Sequence, residues 1–419
     1  MNATKLVPER HRRELRDLAK RSRETILLAA LVGALTGAAV ALMDWLTVDE
    51  GLSRVLDLPP VVRNAIPLVG LAVVAIVLRV GGRISVSTSD EYIKTIHGTD
   101  ELDLAPAPRR LVAGMVSVAA GVPFGLEAAS MYLGASVGSA VRRRFRSALG
   151  STDMHSLMVA GAAAGVAAIF KAPATGAVFA LEVPYRDDLG RHLLIPALVG
   201  SATGYLAFVG FHGTDPLLLV RGDAPFDLRD LLGAVVLGVG VGLIVRAYAK
   251  GIRMAKAFQQ RRPAWLTVGA GGLAVCAAVT VSHLVLGGDL GMTPGYNVIE
   301  WATEPKRALG AIALLLAIRL VGTVGTLAGG GVVGLFLPLV VAGALIGRFV
   351  GGAIDAPNLT VFIILGVAAG LSAGYRVPLA AVMFIAEASG RPGYIVPGLL
   401  AAVGADLVMG ASSVTPYQQ

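Results

Sequence analysis

Apolar positions run in long blocks along this chain, with charged, Gly-bearing and Pro-bearing breaks gathered between them. A helix rises about 1.5 Å per residue and bilayer hydrocarbon is about 30 Å deep, so about 20 apolar residues make one crossing. Blocks of that order occupy residues 25–46, 61–80, 193–211, 231–248 and 264–286 and predict spanning helices. Others are too short to cross alone. Residues 111–121 stop and resume at 125–141, and 155–168 is split from 173–184 by Phe170, Lys171, Ala172 and Pro173. The last third keeps this interrupted style at 309–324, a Gly-rich 327–333, 335–350, 359–373, 378–388 and 395–409.

The polar segments predict three further features. Residues 1–24 carry Arg10, Arg12, Arg13, Arg16, Lys20, Arg21 and Arg23 around a weak stripe of Leu15, Leu18 and Ala19, which predicts a separate basic surface helix on the cytoplasmic face. Residues 250–262 predict a basic loop. In 84–92, Ser87, Thr88 or Ser89 can N-cap a short helix with Asp90 and Glu91 in its first turn. Together the elements predict an all-α polytopic membrane protein. Its parts are an N-terminal helix at 1–24, a first membrane repeat at 25–211, a linker at 212–230 and a second membrane repeat at 231–419.

Composition agrees with lipid as the main solvent. The 419 residues are 55% hydrophobic and only 15% charged, against about 25% charged in soluble chains. Glycine, at 53 residues, lets membrane helices approach closely and break where they line a cavity. The net charge of +8 collects at the ends of apolar blocks, so positive-inside topology explains it better than nucleic acid does. Cys276 is the one cysteine, and the six histidines lie mainly in loops or at block ends. No metal-ligand spacing, cofactor motif or paired nucleophile and base on a span points to an enzyme, and no cofactor is expected.

An internal repeat supplies the strongest signal. Residues 160–182 align without a gap on 365–387, pairing Gly161 with Gly366, Gly165 with Gly370, Pro173 with Pro378, Phe179 with Phe384 and Glu182 with Glu387. Phe170 and Lys171 fall on Tyr375 and Arg376. Upstream, at nearly the same offset, Gly125 to Gly138 aligns on Gly334 to Gly347. Repeats of broken helices mark a transporter architecture, commonly inverted, with the site where half-helix ends meet near the midplane. Converging N-termini present unpaired N–H groups and positive dipole ends, which favour an anion. The candidate N-termini open at Glu127, at Leu335 and Phe336, and after Ser89. Glu127 itself is a carboxylate inside a membrane segment, which is costly and so points to function.

These residues resemble the CLC family of chloride channels and chloride/proton antiporters over roughly 25–417. The family's Gly-Lys/Arg-Glu-Gly-Pro loop is matched by Gly125, Leu126 and Glu127, and its Gly-x-Phe-x-Pro in full by Gly334, Phe336 and Pro338. Its Asn-Ala-Pro and Phe-x-x-Glu segment is similar to Ala172, Pro173, Phe179 and Glu182. The resemblance implies a CLC-type inverted repeat of tilted, partly discontinuous helices, in a prokaryotic-type member without CBS domains. It implies Glu127 as external gate, with backbone N–H groups of Leu335 and Phe336 and hydroxyls of Ser87 and Tyr417 holding a small inorganic anion. A homodimer in a prokaryotic inner membrane, each subunit with its own pathway, is implied as well.

Several positions depart from the family pattern. Leu126 replaces a basic residue, Asp90 stands beside Ser87 where it would compete with an anion, and Val183 stands where proton-coupled members often carry an inner glutamate. Glu182 is the acid left there for proton handling, although its repeat partner Glu387 argues for a structural role shared by both halves. Ser87 argues against the fluoride-selective branch, which has methionine there. Chloride/proton exchange gated by Glu127 is the leading expectation. Passive chloride conduction and a cation-coupled carrier using Glu127 and Asp90 stay open.

Overall fold

Helix ends in this chain fall where prolines and left-handed residues put them. The computed structural model describes residues 9–80, 82, 84–86, 88–98, 101–145, 155–186, 188–218, 228–410 and 412–419, without side chains for 9–22 and 230. In chain order the first half holds α1 (Glu9–Asp44), α2 (Ser53–Leu56), α3 (Pro60–Val77), α4 (Ser89–His97), α5 (Ala107–Ala119), α6 (Glu127–Arg144), α7 (Ser156–Phe170), α8 (Pro173–Glu182) and α9 (Leu194–His212). The second half holds α10 (Leu228–Arg261), α11 (Ala264–Val281), α12 (Tyr296–Ala302), α13 (Leu309–Ala328), α14 (Phe336–Ala353), α15 (Leu359–Tyr375), α16 (Pro378–Ser389) and α17 (Ile395–Met409). No strand occurs among the described residues. Eight described segments are long and apolar enough to cross a membrane by length and composition, while Ser156–Phe170, Leu359–Tyr375 and Pro378–Ser389 are apolar but shorter.

Two expectations change. The basic segment is not a separate helix, because α1 runs unbroken from Glu9 into the first span; no proline interrupts it and its residues are good helix formers. The basic loop expected at 250–262 is the last three turns of α10, which stops only at Arg261, just before Pro263. Lys, Arg, Ala, Met and Gln all favour helix, and charge alone does not end one. Of the expected linker, residues 219–227 lie outside the described residues.

The repeat is visible as equivalent contacts. In the first half α6 crosses α7 at Gly134, where an added methyl group would lie 1.9 Å from the carbonyl oxygen of Gly161. In the second half α14 crosses α15 at Gly343, 2.1 Å by the same measure from the oxygen of Gly366. Any side chain there would force the helices apart, so these glycines set the helix spacing. Helix α14 is the most enclosed span, with 78% of its apolar window buried against 33–50% for the others. It is the helix around which the rest of the protein closes.

The half-helices α8 and α16 begin at partly buried positions, where their first N–H groups need acceptors. Each is capped by an acid from the other half. Glu387 accepts from Ala174 N at 2.8 Å and from Thr175 N and Oγ1, both at 2.7 Å. Glu182 accepts from Leu379 N at 3.1 Å and Ala380 N at 2.8 Å. The preceding breaks also match, since Lys171 and Arg376 adopt left-handed φ of 49° and 57°. Lys171 reaches the carbonyl of His212 at the end of α9, and Arg376 reaches that of Gly410 just after α17.

Glu387→Ala strips the cap from α8 and leaves buried donors unsatisfied, a loss of about 1–3 kcal/mol. Thermal unfolding in detergent should show a lower midpoint, and an unchanged midpoint would show that the cap adds no stability.

Candidate functional site

Of the three N-termini expected to converge, those of α6 and α14 touch. A methyl group on Gly334 would lie 2.9 Å from Ala128 N and 3.3 Å from Glu127 Oε2. One on Gly125 would lie 1.9 Å from Glu127 Oε1 and 2.8 Å from Leu337 Cδ1. Both motif glycines are therefore required by the position of one carboxylate. Glu127 is 4% exposed, and its Oε2 has no hydrogen-bond partner. Pro338, in the first turn of α14, removes no helix hydrogen bond. The carboxylate thus lies where the starts of α6 and α14 meet.

Helix α4 approaches the N-terminus of α14 at a small cavity lined by Ser89, Asp90, Lys94, Lys256, Leu335 and Tyr417, among others. Ser87 lies outside the described residues. Tyr417 lines this cavity but is 37% exposed, with Lys94 Nζ 4.2 Å from its ring centre. The Leu335 N–H donates at 3.3 Å to the hydroxyl of Tyr375, the last residue of α15, which is 3% exposed and faces Ser89. Phe336 stands at the centre of an aromatic cage, with ring centres 4.1 Å from Phe170, 5.3 Å from Phe179 and 5.1 Å from Phe384. The repeat pairs cross in the same cage, Phe170 on Phe384 at 5.1 Å and Phe179 on Tyr375 at 5.6 Å.

Other expected roles shift. Both oxygens of Glu182 accept from helix N–H groups, so it caps α16. Val183 is fully buried, and its carbonyl accepts from Gln418 Nε2 at 3.0 Å. Asp90 does not point unpaired at the α4 N-terminus: Thr415 Oγ1 donates to one oxygen at 2.7 Å and Lys256 Nζ pairs with the other at 3.2 Å. Asp90 and Glu127 are not joined in a cation site, and no group of three or more acids, His or Cys able to hold a metal occurs among the described residues. Pro173 and Pro378 sit at the first positions of α8 and α16, where a missing N–H costs least.

Two residues were passed over in reading the sequence. Arg319, 3% exposed in the middle of α13, donates to the carbonyls of Leu290, Thr293, Pro294 and Pro123, the last in the loop that carries Glu127. A charge inside an apolar block was its signal. Tyr375 was visible as the hydroxyl that distinguishes it from its repeat partner Phe170.

An all-helical, repeated, multi-pass membrane protein, with a carboxylate where the starts of two broken helices meet, falls in the class of membrane transporters. The chain belongs to the voltage gated chloride channel family, the CLC family, whose model matches residues 69–410. It is 26% identical over 437 residues to the H(+)/Cl(-) exchange transporter ClcA of Salmonella paratyphi A, covering 97% of this chain and 90% of that protein. The ClcA of Salmonella typhimurium is 26% identical over 436 residues with the same coverage. Among solved structures, a slow cyanobacterial Cl-/H+ antiporter superimposes with a TM-score of 0.81 at 22% identity, over 92% of this chain and 94% of its own. A CLC-type fluoride/proton antiporter does so at 0.76 and 20% identity, over 95% and 98%. The fold is thus the CLC-type repeat of partly discontinuous helices.

If the Tyr375 hydroxyl helps to seat an anion at the Leu335 N–H, Tyr375→Phe should weaken halide binding about tenfold, the loss of roughly one charge-assisted hydrogen bond. Tyr417→Phe should change it less than twofold, an effect well under one hydrogen bond. Calorimetric titration of detergent-purified protein separates them, and equal losses would reject this assignment.

Proposed function

We propose that this protein exchanges chloride for protons across a bilayer, with Glu127 as the gate. The observation that carries this reading is the buried, half-unpartnered carboxylate of Glu127 lying where the starts of α6 and α14 meet. Deprotonated, it competes with an anion for the same N–H groups; protonated, it has no charge to hold it there and yields the place. One residue then couples occupancy by anion to uptake of a proton. Backbone N–H groups of Leu335 and Phe336 hold the ion, with hydroxyls of Ser87, Tyr375 and the wider cavity at Tyr417 on the α4 side. Neutral donors bind an anion while adding no charge, which keeps release possible.

The relatives named as H(+)/Cl(-) exchangers match along nearly the whole chain, which supports chloride as cargo. We infer the remaining organisation from the same resemblance. Residues 25–211 and 231–419 are the two repeats, two copies assemble with a pathway in each, and the basic N-terminus stays in the cytoplasm of a prokaryote. Passive chloride conduction is the second reading. Val183, an apolar residue where an inner acid is common, favours it.

Purified protein in liposomes distinguishes the two. An outward chloride gradient should drive protons uphill, and Glu127→Gln should stop proton movement while anion flux continues without pH dependence. No uphill proton movement by the wild type leaves conduction in place of exchange. A persisting pH dependence in Glu127→Gln would remove Glu127 as the gate.

A further inference from the structure

We propose that Lys256 is a specificity-determining residue of the α4-side mouth: it neutralises Asp90 and so keeps that mouth open to anions. This rests on the anion-transport reading above. Asp90 is the second residue of α4, 7% exposed, and lines the cavity shared by Leu335 and Tyr417. A carboxylate at a helix N-terminus is held by the same dipole that would attract a mobile anion. Left unpaired it would act as a resident competitor, repelling any second negative charge entering the cavity.

The surrounding contacts remove that charge. Lys256 Nζ meets Asp90 Oδ2 at 3.2 Å and the carbonyl of Val414 at 3.3 Å, while Thr415 Oγ1 donates to Oδ1 at 2.7 Å. The remaining charged groups of α4 cannot substitute. Glu91 is paired with Arg110 at 3.2 Å, and Lys94 lies over the Tyr417 ring. With Lys256 in place, Lys94 is the unbalanced charge at the cavity and the mouth is positive. Without Lys256, Asp90 cancels Lys94 and the mouth has no net positive charge. The pair depends on the extension of α10 past residue 250, which carries Lys256 to the cavity.

Radiolabelled chloride exchange in liposomes tests this as a function of chloride concentration. Lys256→Gln should raise half-saturating chloride on the order of tenfold at low ionic strength, with the shift shrinking when impermeant salt is added. The double variant Asp90→Asn with Lys256→Gln should return to within about twofold of wild type, because the charge conflict is gone. Asp90→Asn alone should leave half-saturation equal or lower, and Lys256→Arg should keep it near wild type. A concentration dependence in Lys256→Gln like that of wild type overturns the proposal. So does a double variant as impaired as the single one, since Lys256 would then act only by fastening Val414. Should Lys256→Gln fail to fold, a rise in half-saturation for Asp90→Asn alone overturns it instead. Wild-type protein without chloride exchange would refute the transport reading itself, a separate outcome.

Discussion

A helix that begins inside a membrane protein exposes N–H groups which neither water nor lipid can satisfy, and this constraint organises the structure. The chain breaks its helices repeatedly, so it must supply an acceptor at each buried start. For α8 and α16 it does so with carboxylates exchanged between the halves, Glu387 to one and Glu182 to the other. These fixed caps show what such an end demands. The meeting ends of α6 and α14 differ, since the Leu335 N–H there goes to the neutral hydroxyl of Tyr375. What lies there is Glu127, with one oxygen unpartnered. A permanent cap and a replaceable one use the same chemistry and differ in how completely the acid is bound.

The two halves supply unlike parts to equivalent places. Glu127 and Phe336 occupy matching positions at the starts of α6 and α14, one titratable and one neutral. Phe336 is locked by rings from both halves, and its helix is the most enclosed span, so the α14 end is rigid. Glu127 rests on Gly125 and Gly334, which have no side chains to confine it. Duplication gave the two ends a shared geometry, and divergence at one residue made one of them titratable.

Much of this was legible in the residues. Block length, the matched Gly, Pro, Phe and Glu positions, and the interrupted pieces before Glu127 and Phe336 led to the repeat and to both helix ends. Tertiary information was missing where the reading slipped. Hydropathy reads the charged end of α10 as loop, although intrinsic propensity there favours helix. A tyrosine's place in the chain does not reveal which hydroxyl meets the Leu335 N–H, so Tyr375 was passed over. The shared role of Glu182 and Glu387 could be suspected from their equivalence, but only the crossed hydrogen bonds identify it as capping.

The charges along the pathway divide between the halves. Asp90 and Glu127 come from the first half, while Lys256, which pairs with Asp90, and Arg319 come from α10 and α13 of the second. Leu126, where a basic residue is usual, packs apolarly against Met43, Val118 and Ala129, so local sequence supplies no positive charge beside Glu127. Arg319, from another element, donates to four carbonyls, one of which, Pro123, belongs to the loop of Glu127. A buried cation held by neutral acceptors projects its field farther than one paired with a carboxylate. The electrostatics of the pathway are thus set by contacts between halves, and they depend on the docking of the two repeats as much as the helix caps do.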